Sequence, residues 1–179
     1  MNTSEIKEGK LLWEPSEERK KQTNVTRYLS WLKDKRGLDF ESYHQLWKWS
    51  VDNLEDFWAS LWDYFEIKAS KPYTEVLSKG KMPDHRWFLG AELNYTEHVF
   101  RKMTDSKPAL LFQSEDSAIT EVTWRELYES VSSVADALRN MGVKAGDRVV
   151  AYMPNIPETV VAFLATASLG AIWSSCSPD

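Results

Sequence analysis

The sequence predicts an α/β protein: a helical, tryptophan-rich N-terminal region followed by the first βαβ units of a larger layered domain. Three observations carry this. Trp13, Trp31, Trp47, Trp49, Trp58, Trp62 and Trp87 all fall before residue 95, leaving only Trp124 and Trp173 beyond it. From residue 123 onward, helical and strand-like apolar patterns alternate, as they do where helices connect parallel strands. The last unit, ending in Ala171-Ile172-Trp173-Ser174-Ser175-Cys176-Ser177-Pro178-Asp179, breaks off in the middle of an α/β layer. A doubly wound sheet ending there is expected to have unpaired edges and an uncovered face. The expectation is an N-terminal fragment of a larger enzyme.

Composition narrows the class. At 179 residues and 42% hydrophobic, the chain can build one core or two small ones. Charged residues make up 27%, and no apolar run approaches the ~20 residues of a membrane span. Residues 1–10 are polar and mixed in charge, so no secretory signal is expected. Cys176 is the single cysteine, which excludes an internal disulfide and fits a reducing, cytosolic setting. A net charge of −5 without a basic stripe argues against nucleic acid or an anionic membrane as partner. The triple Arg19-Lys20-Lys21 follows Glu17-Glu18 and reads as a solvated face.

The elements follow in order. Asn24 is placed as the cap of a helix with Val25, Tyr28, Leu29 and Leu32 on one side, closed by Gly37. Ser42-Tyr43-His44-Gln45 has capping-box spacing and opens a turn carrying Leu46, Trp47 and Trp49. Asn53 begins a third helix with Leu54, Phe57, Trp58, Leu61, Trp62 and Phe65 on one face. Such an aromatic stripe could stack on a planar ligand, but rings at helical spacing more simply pack helices together. Pro72, Gly80 and Pro83 punctuate what reads as an irregular connection. Trp87-Phe88-Leu89-Gly90 and Leu93-Asn94-Tyr95 offer apolar anchors there.

Asn94 is expected to cap a short helix through Val99, Phe100 and Met103. Both Asn24 and Asn94 match the N-x-[ST] pattern, but without a signal peptide the cap is the better reading. Residues 109–113 and 119–122 read as strands of a hairpin around Ser114-Glu115-Asp116-Ser117. Thr123-Trp124-Arg125-Glu126 is a second capping box. Its helix sets Leu127, Val131, Val134, Leu138 and Met141 on one face and ends at Gly142. Lys144-Ala145-Gly146-Asp147 turns into residues 149–153, an apolar run expected to be a buried parallel strand. Pro157 starts an apolar helix through Val160, Val161, Phe163, Leu164, Ala167 and Leu169. Gly170 ends it, and another strand begins at Ala171. The boundary between the two regions is placed near residue 95, giving 1–95 and 96–179.

A direct search for chemistry is mostly negative. Neither a P-loop nor a G-x-G-x-x-G fingerprint occurs among seven glycines, and Gly80-Lys81 lacks the strand–helix setting of a phosphate loop. His44, His85 and His98 are scattered, and the adjacent pairs Asp84-His85 and Glu97-His98 do not build a chelating face. No metal site is expected. Cys176 has no partner base in the sequence and reads as a small core or turn thiol rather than a nucleophile. Asp147 and Asp179 are expected to bond local backbone. No catalytic residue is named, and no cofactor-binding residue can be assigned.

The motifs do resemble a known family. Val122-Thr123-Trp124-Arg125-Glu126-Leu127, the run from Ala137 to Val149, Tyr152-Met153-Pro154-Asn155 and Ser168-Leu169-Gly170-Ala171-Ile172-Trp173 look like the opening of the adenylate-forming enzymes. Leu12-Trp13-Glu14-Pro15, the run from Tyr43 to Val51, Asp56-Phe57-Trp58 and Trp87-Phe88 are similar to the N-terminal region of acetyl-CoA-synthetase-like members. With the stretch from Ala171 to Asp179, the chain most resembles the acetoacetate–CoA ligases.

The resemblance implies an acid–thiol ligase using ATP, CoA and Mg²⁺, with acetoacetate as the acid. Acetate and propionate are alternative substrates, and a non-enzymatic helical interaction module is a reading from a different class. It also implies that the phosphate loop, the ribose-binding acids and the catalytic lysine follow residue 179. Residues 173–179 would lie near the CoA nucleotide. They lack the glycine pair of acetyl-CoA synthetases there, so no contacts carry over.

Overall fold

The protein is described here by a computed structural model, in which residues 9–178 are placed. It divides into two compact units, one of residues up to Ile67 with Glu75–Trp87, the other of Lys68–Thr74 with residues from Phe88 onward. The elements mix helices with small two-stranded sheets.

In the first unit, α1 (Glu17–Lys21) is capped by the Ser16 side chain. Lys20 pairs with Glu14 at 2.5 Å and Glu17 at 2.7 Å, so the basic triple is a solvated, locally paired face. α2 (Asn24–Arg36) is capped by Thr23, whose hydroxyl accepts from the Thr26 amide. Asn24 is therefore the first helical residue rather than the cap; both types can cap, and Thr23 holds the extended backbone that a cap needs. Gly37 closes α2 at φ +68°. α3 (Tyr43–Asp52) is capped by Ser42. The expected box is only half formed, because Gln45 Oε1 accepts from the Glu41 amide instead of Ser42. α4 (Leu54–Tyr64) follows at once. Asn53 makes no side-chain cap to it and instead donates to Trp49 O at the end of α3.

The stripe rings pack on one another. Tyr28, Leu32 and Leu46 are buried among Leu29, Trp31, Phe40, Trp49, Phe57, Leu61 and Tyr64. Tyr28 meets Tyr64 at 5.0 Å and Trp49 meets Phe57 edge-on at 5.9 Å, geometries that favour ring pairs beyond area alone. Residues 72–83 are less irregular than expected: β1 (Glu75–Leu77) pairs with β2 (Trp87–Leu89) in a small sheet. The apolar stretch at Trp87 is thus a strand, with Trp87 edge-on to Trp58 at 5.3 Å. Short strands flanked by Gly and Pro have too few residues to show a period.

The second unit opens with α5 (Tyr95–Phe100), capped by Asn94. β3 (Leu110–Phe112) and β4 (Thr120–Val122) form the antiparallel hairpin, with Leu110 opposite Val122. α6 (Trp124–Asn140) begins at a complete capping box of Thr123 and Glu126. Leu127, Val131 and Ala135 of α6 are buried against Leu164 and Ala165. Met141 departs from that face and is 72% exposed, because the helix ends at Asn140 and Met141 is its C-cap. β5 (Arg148–Tyr152) lies parallel to β6 (Ile172–Cys176), with α7 (Pro157–Ser168) between them in the chain. β5 is not buried on both sides as expected. Arg148, Val150 and Tyr152 are exposed, alternating with half-buried Val149 and Ala151. Among the described residues, one face of the β5–β6 pair is packed, with Phe163 of α7 against Trp173 at 6.2 Å.

Candidate functional site

In open parallel sheets, ligands gather beyond the carboxyl ends of the strands. Here that end is formed by Tyr152, the loop 153–156, the first turn of α7 and Cys176 to Pro178. Pro157 at the helix start presets φ. Thr159 Oγ1 donates to Pro154 O at 2.6 Å, and the Ile156 amide donates to the same carbonyl at 3.0 Å. The loop is tied down by these two bonds. The Met153 amide reaches Cys176 O at 3.4 Å, and Tyr152 OH donates to Pro178 O at 3.1 Å. The two strand ends are thereby held side by side.

Behind this edge, the corner from α7 into β6 is clamped. Asn94 Oδ1 accepts from the Thr96 and Glu97 amides at 2.9 and 3.3 Å. Its Nδ2 donates to Ala167 O and Ser168 O, both at 3.1 Å. One amide thus satisfies the start of α5 and the end of α7, where both helices have orphan groups. Thr96 Oγ1 adds a buried bond of 2.9 Å to Leu164 O. The sequence shows Asn94 as a cap. Its second role has no local signal, because its partners lie 73 and 74 residues away.

The other singled-out residues take separate places. Gly80-Lys81 sits between β1 and β2, followed by no helix, so it is not a phosphate loop. His44 stacks on Trp47 at 5.4 Å. His85 Nδ1 lies 3.2 Å from Ser78 O and His98 Nε2 lies 2.9 Å from Lys68 O; a carbonyl only accepts, so those nitrogens carry the protons. Asp147 Oδ2 accepts from the Lys144 amide at 2.7 Å, as expected of a turn. Asp179 lies outside the described residues. Cys176 is neither in a core nor in a turn: it ends β6, exposed. Among the described residues no group of three His, Cys, Asp or Glu side chains could hold a metal ion.

Two of the shifted side chains lie at helix contacts. Burial raises the Tyr28 hydroxyl above its ordinary range, against a smaller lowering from its bond to Ser60. The Thr123 amide, then its hydroxyl, hold the Glu126 carboxyl below its ordinary value. Both serve helices. Open grooves in the second unit measure about 590 Å³ beside Ser130, Pro157 and Val161 and about 520 Å³ beside Asn94, Phe100 and Tyr128. The arrangement at the strand ends positions backbone.

The family model for AMP-binding enzymes matches residues 97–179, and that for the acetyl-coenzyme A synthetase N-terminus matches residues 43–99. Over those two stretches the chain is similar to AMP-binding and acetyl-coenzyme A synthetase enzymes. It is 44% identical to acetoacetyl-CoA synthetase of Macaca fascicularis over 98% of its own length and 26% of the relative's. A solved acetoacetyl-CoA synthetase from Streptomyces lividans is 44% identical, with a TM-score of 0.87 over 93% of this chain and 26% of that one. A malonamoyl-CoA synthetase of Penicillium aethiopicum is 34% identical over 94% of this chain and 24% of its own length. The chain therefore spans about a quarter of the relatives that it matches. No helix among the described residues is long and apolar enough to cross a membrane.

Proposed function

We propose that this chain is the N-terminal part of a cytosolic ATP-dependent acid–thiol ligase acting on acetoacetate. In the first step, the acetoacetate carboxylate attacks the α-phosphorus of ATP, giving acetoacetyl-adenylate and pyrophosphate. In the second, the CoA thiol attacks the acyl carbon, AMP leaves, and the thiol proton passes to a base. Adenylation is needed because a carboxylate oxygen is a poor leaving group. Stabilisation of the phosphate charge, with Mg²⁺ carried on the nucleotide, falls to residues outside this chain.

The observation that supports this reading is 40–44% identity to acetoacetyl-CoA synthetases from mammals and a bacterium, over nearly the whole chain. Taken alone, the 179 residues supply scaffold and no turnover. The match to a malonamoyl-CoA synthetase favours one substrate class over acetate or propionate: acetoacetate and malonamate are both short acids with a second carbonyl on the β carbon.

The test is an AMP-release assay dependent on CoA, run on the reading frame extended past residue 179. Acetoacetate and malonamate are compared with acetate, propionate and butyrate. Preference for the two β-carbonyl acids is expected. Preference for acetate would retain the two-step chemistry and remove the substrate class. Turnover by the 179 residues alone would overturn the scaffold assignment.

A further inference from the structure

The groove of about 590 Å³ between α6 and α7 combines an apolar floor with an acidic rim. Val122, Val134 and Val161 line it and are half-buried against the core of the second unit. Glu129 and Glu158 line it from exposed positions. No lysine or arginine is among the lining residues. Neither carboxylate takes part in an ion pair among the described residues. Arg125, one helical turn before Glu129, lines the neighbouring hollow with Met103 and Trp124. A groove of this kind is complementary to a cation carried beside large apolar side chains.

The chain itself carries such a segment. Leu11, Leu12 and Trp13 are 71%, 75% and 68% exposed, and a run of three bare apolar side chains is seldom left without a function. Lys10 precedes them, exposed and outside every described ion pair. Glu14 follows them, but its carboxylate is met by Lys20 at 2.5 Å. The charge that this segment offers to a partner is therefore that of the Lys10 ammonium.

We infer that Lys10–Trp13 of one copy seats in the α6–α7 groove of a second copy. Trp13 and a leucine cover the valines, and the Lys10 ammonium meets Glu129 and Glu158. A second copy is the occupant because both halves of the match, in charge and in polarity, lie on this one chain. The inference goes beyond the ligase reading and does not rest on it.

Sedimentation velocity of the 179-residue chain over a concentration series is the test. The average mass is expected to rise with concentration, and to rise less at high salt, which screens exposed charges. Trp13→Ser is expected to weaken self-association about tenfold or more, as loss of an aromatic anchor does. Glu129→Lys combined with Glu158→Gln, and separately Lys10→Glu, are each expected to weaken it about fivefold at low salt. Glutamine at 158 avoids setting a cation at the start of α7. An equal mixture of the Lys10→Glu protein with the Glu129→Lys, Glu158→Gln protein is expected to associate more tightly than either alone. In that mixture opposite charges face each other in both segment–groove contacts, whereas each variant alone opposes like charges.

A chain that stays a monomer at every concentration overturns the proposal. So does self-association that Trp13→Ser leaves unchanged, which would assign it to another surface. A mixture no tighter than its components removes the groove as the seat. Lys10→Glu and Trp13→Ser lie outside regular structure, so they keep the test decisive should the groove variant lower the melting midpoint.

Discussion

Asn94 joins two helices through one amide, and its chemistry makes a sharp prediction. Asn94→Ala removes both the acceptor at the start of α5 and the donor at the end of α7. A loss of about 2 kcal/mol is expected in urea unfolding. Asn94→Asp keeps an acceptor for the α5 amides but sets a carboxylate oxygen against the carbonyls of Ala167 and Ser168. It is expected to be at least as destabilising as Asn94→Ala at pH 7. An Asn94→Asp protein as stable as the parent would show that the α7 bonds contribute nothing.

Tyr28 makes the second residue-scale case. Ser60 Oγ donates to Phe57 O at 2.7 Å, so its one proton is committed and Tyr28 must donate to it, at 2.5 Å. Burial holds that proton on in the folded state, above the ordinary value of 10.0. The unfolded tyrosine releases its proton first as pH rises. Stability from this source is thus complete below pH about 10 and lost as pH climbs through the folded value. Denaturant midpoints followed from pH 8 to 11 are expected to fall more steeply for the parent than for Tyr28→Phe. At neutral pH, Tyr28→Phe is expected to cost about 1 kcal/mol.

At the scale of elements, the corners between helix and strand are set by backbone handedness. Gly142 after α6 has φ +92° with open space where a Cβ would go. Gly170 after α7 has φ +71°, and a Cβ there would lie 3.2 Å from Ala145 Cβ. Gly142→Ala carries only the left-handed backbone cost, about 1 kcal/mol. Gly170→Ala carries that cost and a close contact, so its midpoint shift is expected to be larger. Adding Ala145→Gly to Gly170→Ala should recover the excess and no more. Equal shifts for the two alanines, or no recovery in the double variant, would remove the contact from the account. The capping box at α6 belongs to the same scale: Thr123→Ala is expected to cost about 1 kcal/mol in thermal or chemical unfolding.

For the molecule as a whole, the two units each have their own apolar cluster, one around Leu32 and one around Leu127. Leu32 is fully buried and Leu127 almost so. Alanine at either is expected to cost about 3 kcal/mol, and the two costs should add within about 0.5 kcal/mol because the clusters share no residue. A markedly non-additive double variant would mean that the clusters melt as one. At the same scale, the proposed ligase reading treats these residues as scaffold, and the AMP-release assay is its test.

Much of this was legible residue by residue. Thr123 and Glu126 announce α6, the 3- and 4-residue spacings name its buried side, and Pro157 and Gly170 bracket α7, because capping, period and handedness act within a few residues. The family was legible for a related reason, since its motifs lie on those same turns and strand ends. What came from packing acts over long separations. Thr23 rather than Asn24 took the cap. Asn53 turned back to α3. Asn94 found α7 across 73 residues. β1 and β2 emerged from a stretch too short to carry a period. The exposure of Val150 and Cys176 was the least readable, because an apolar run states that a strand should be covered, while only the assembled layers show which face has a neighbour.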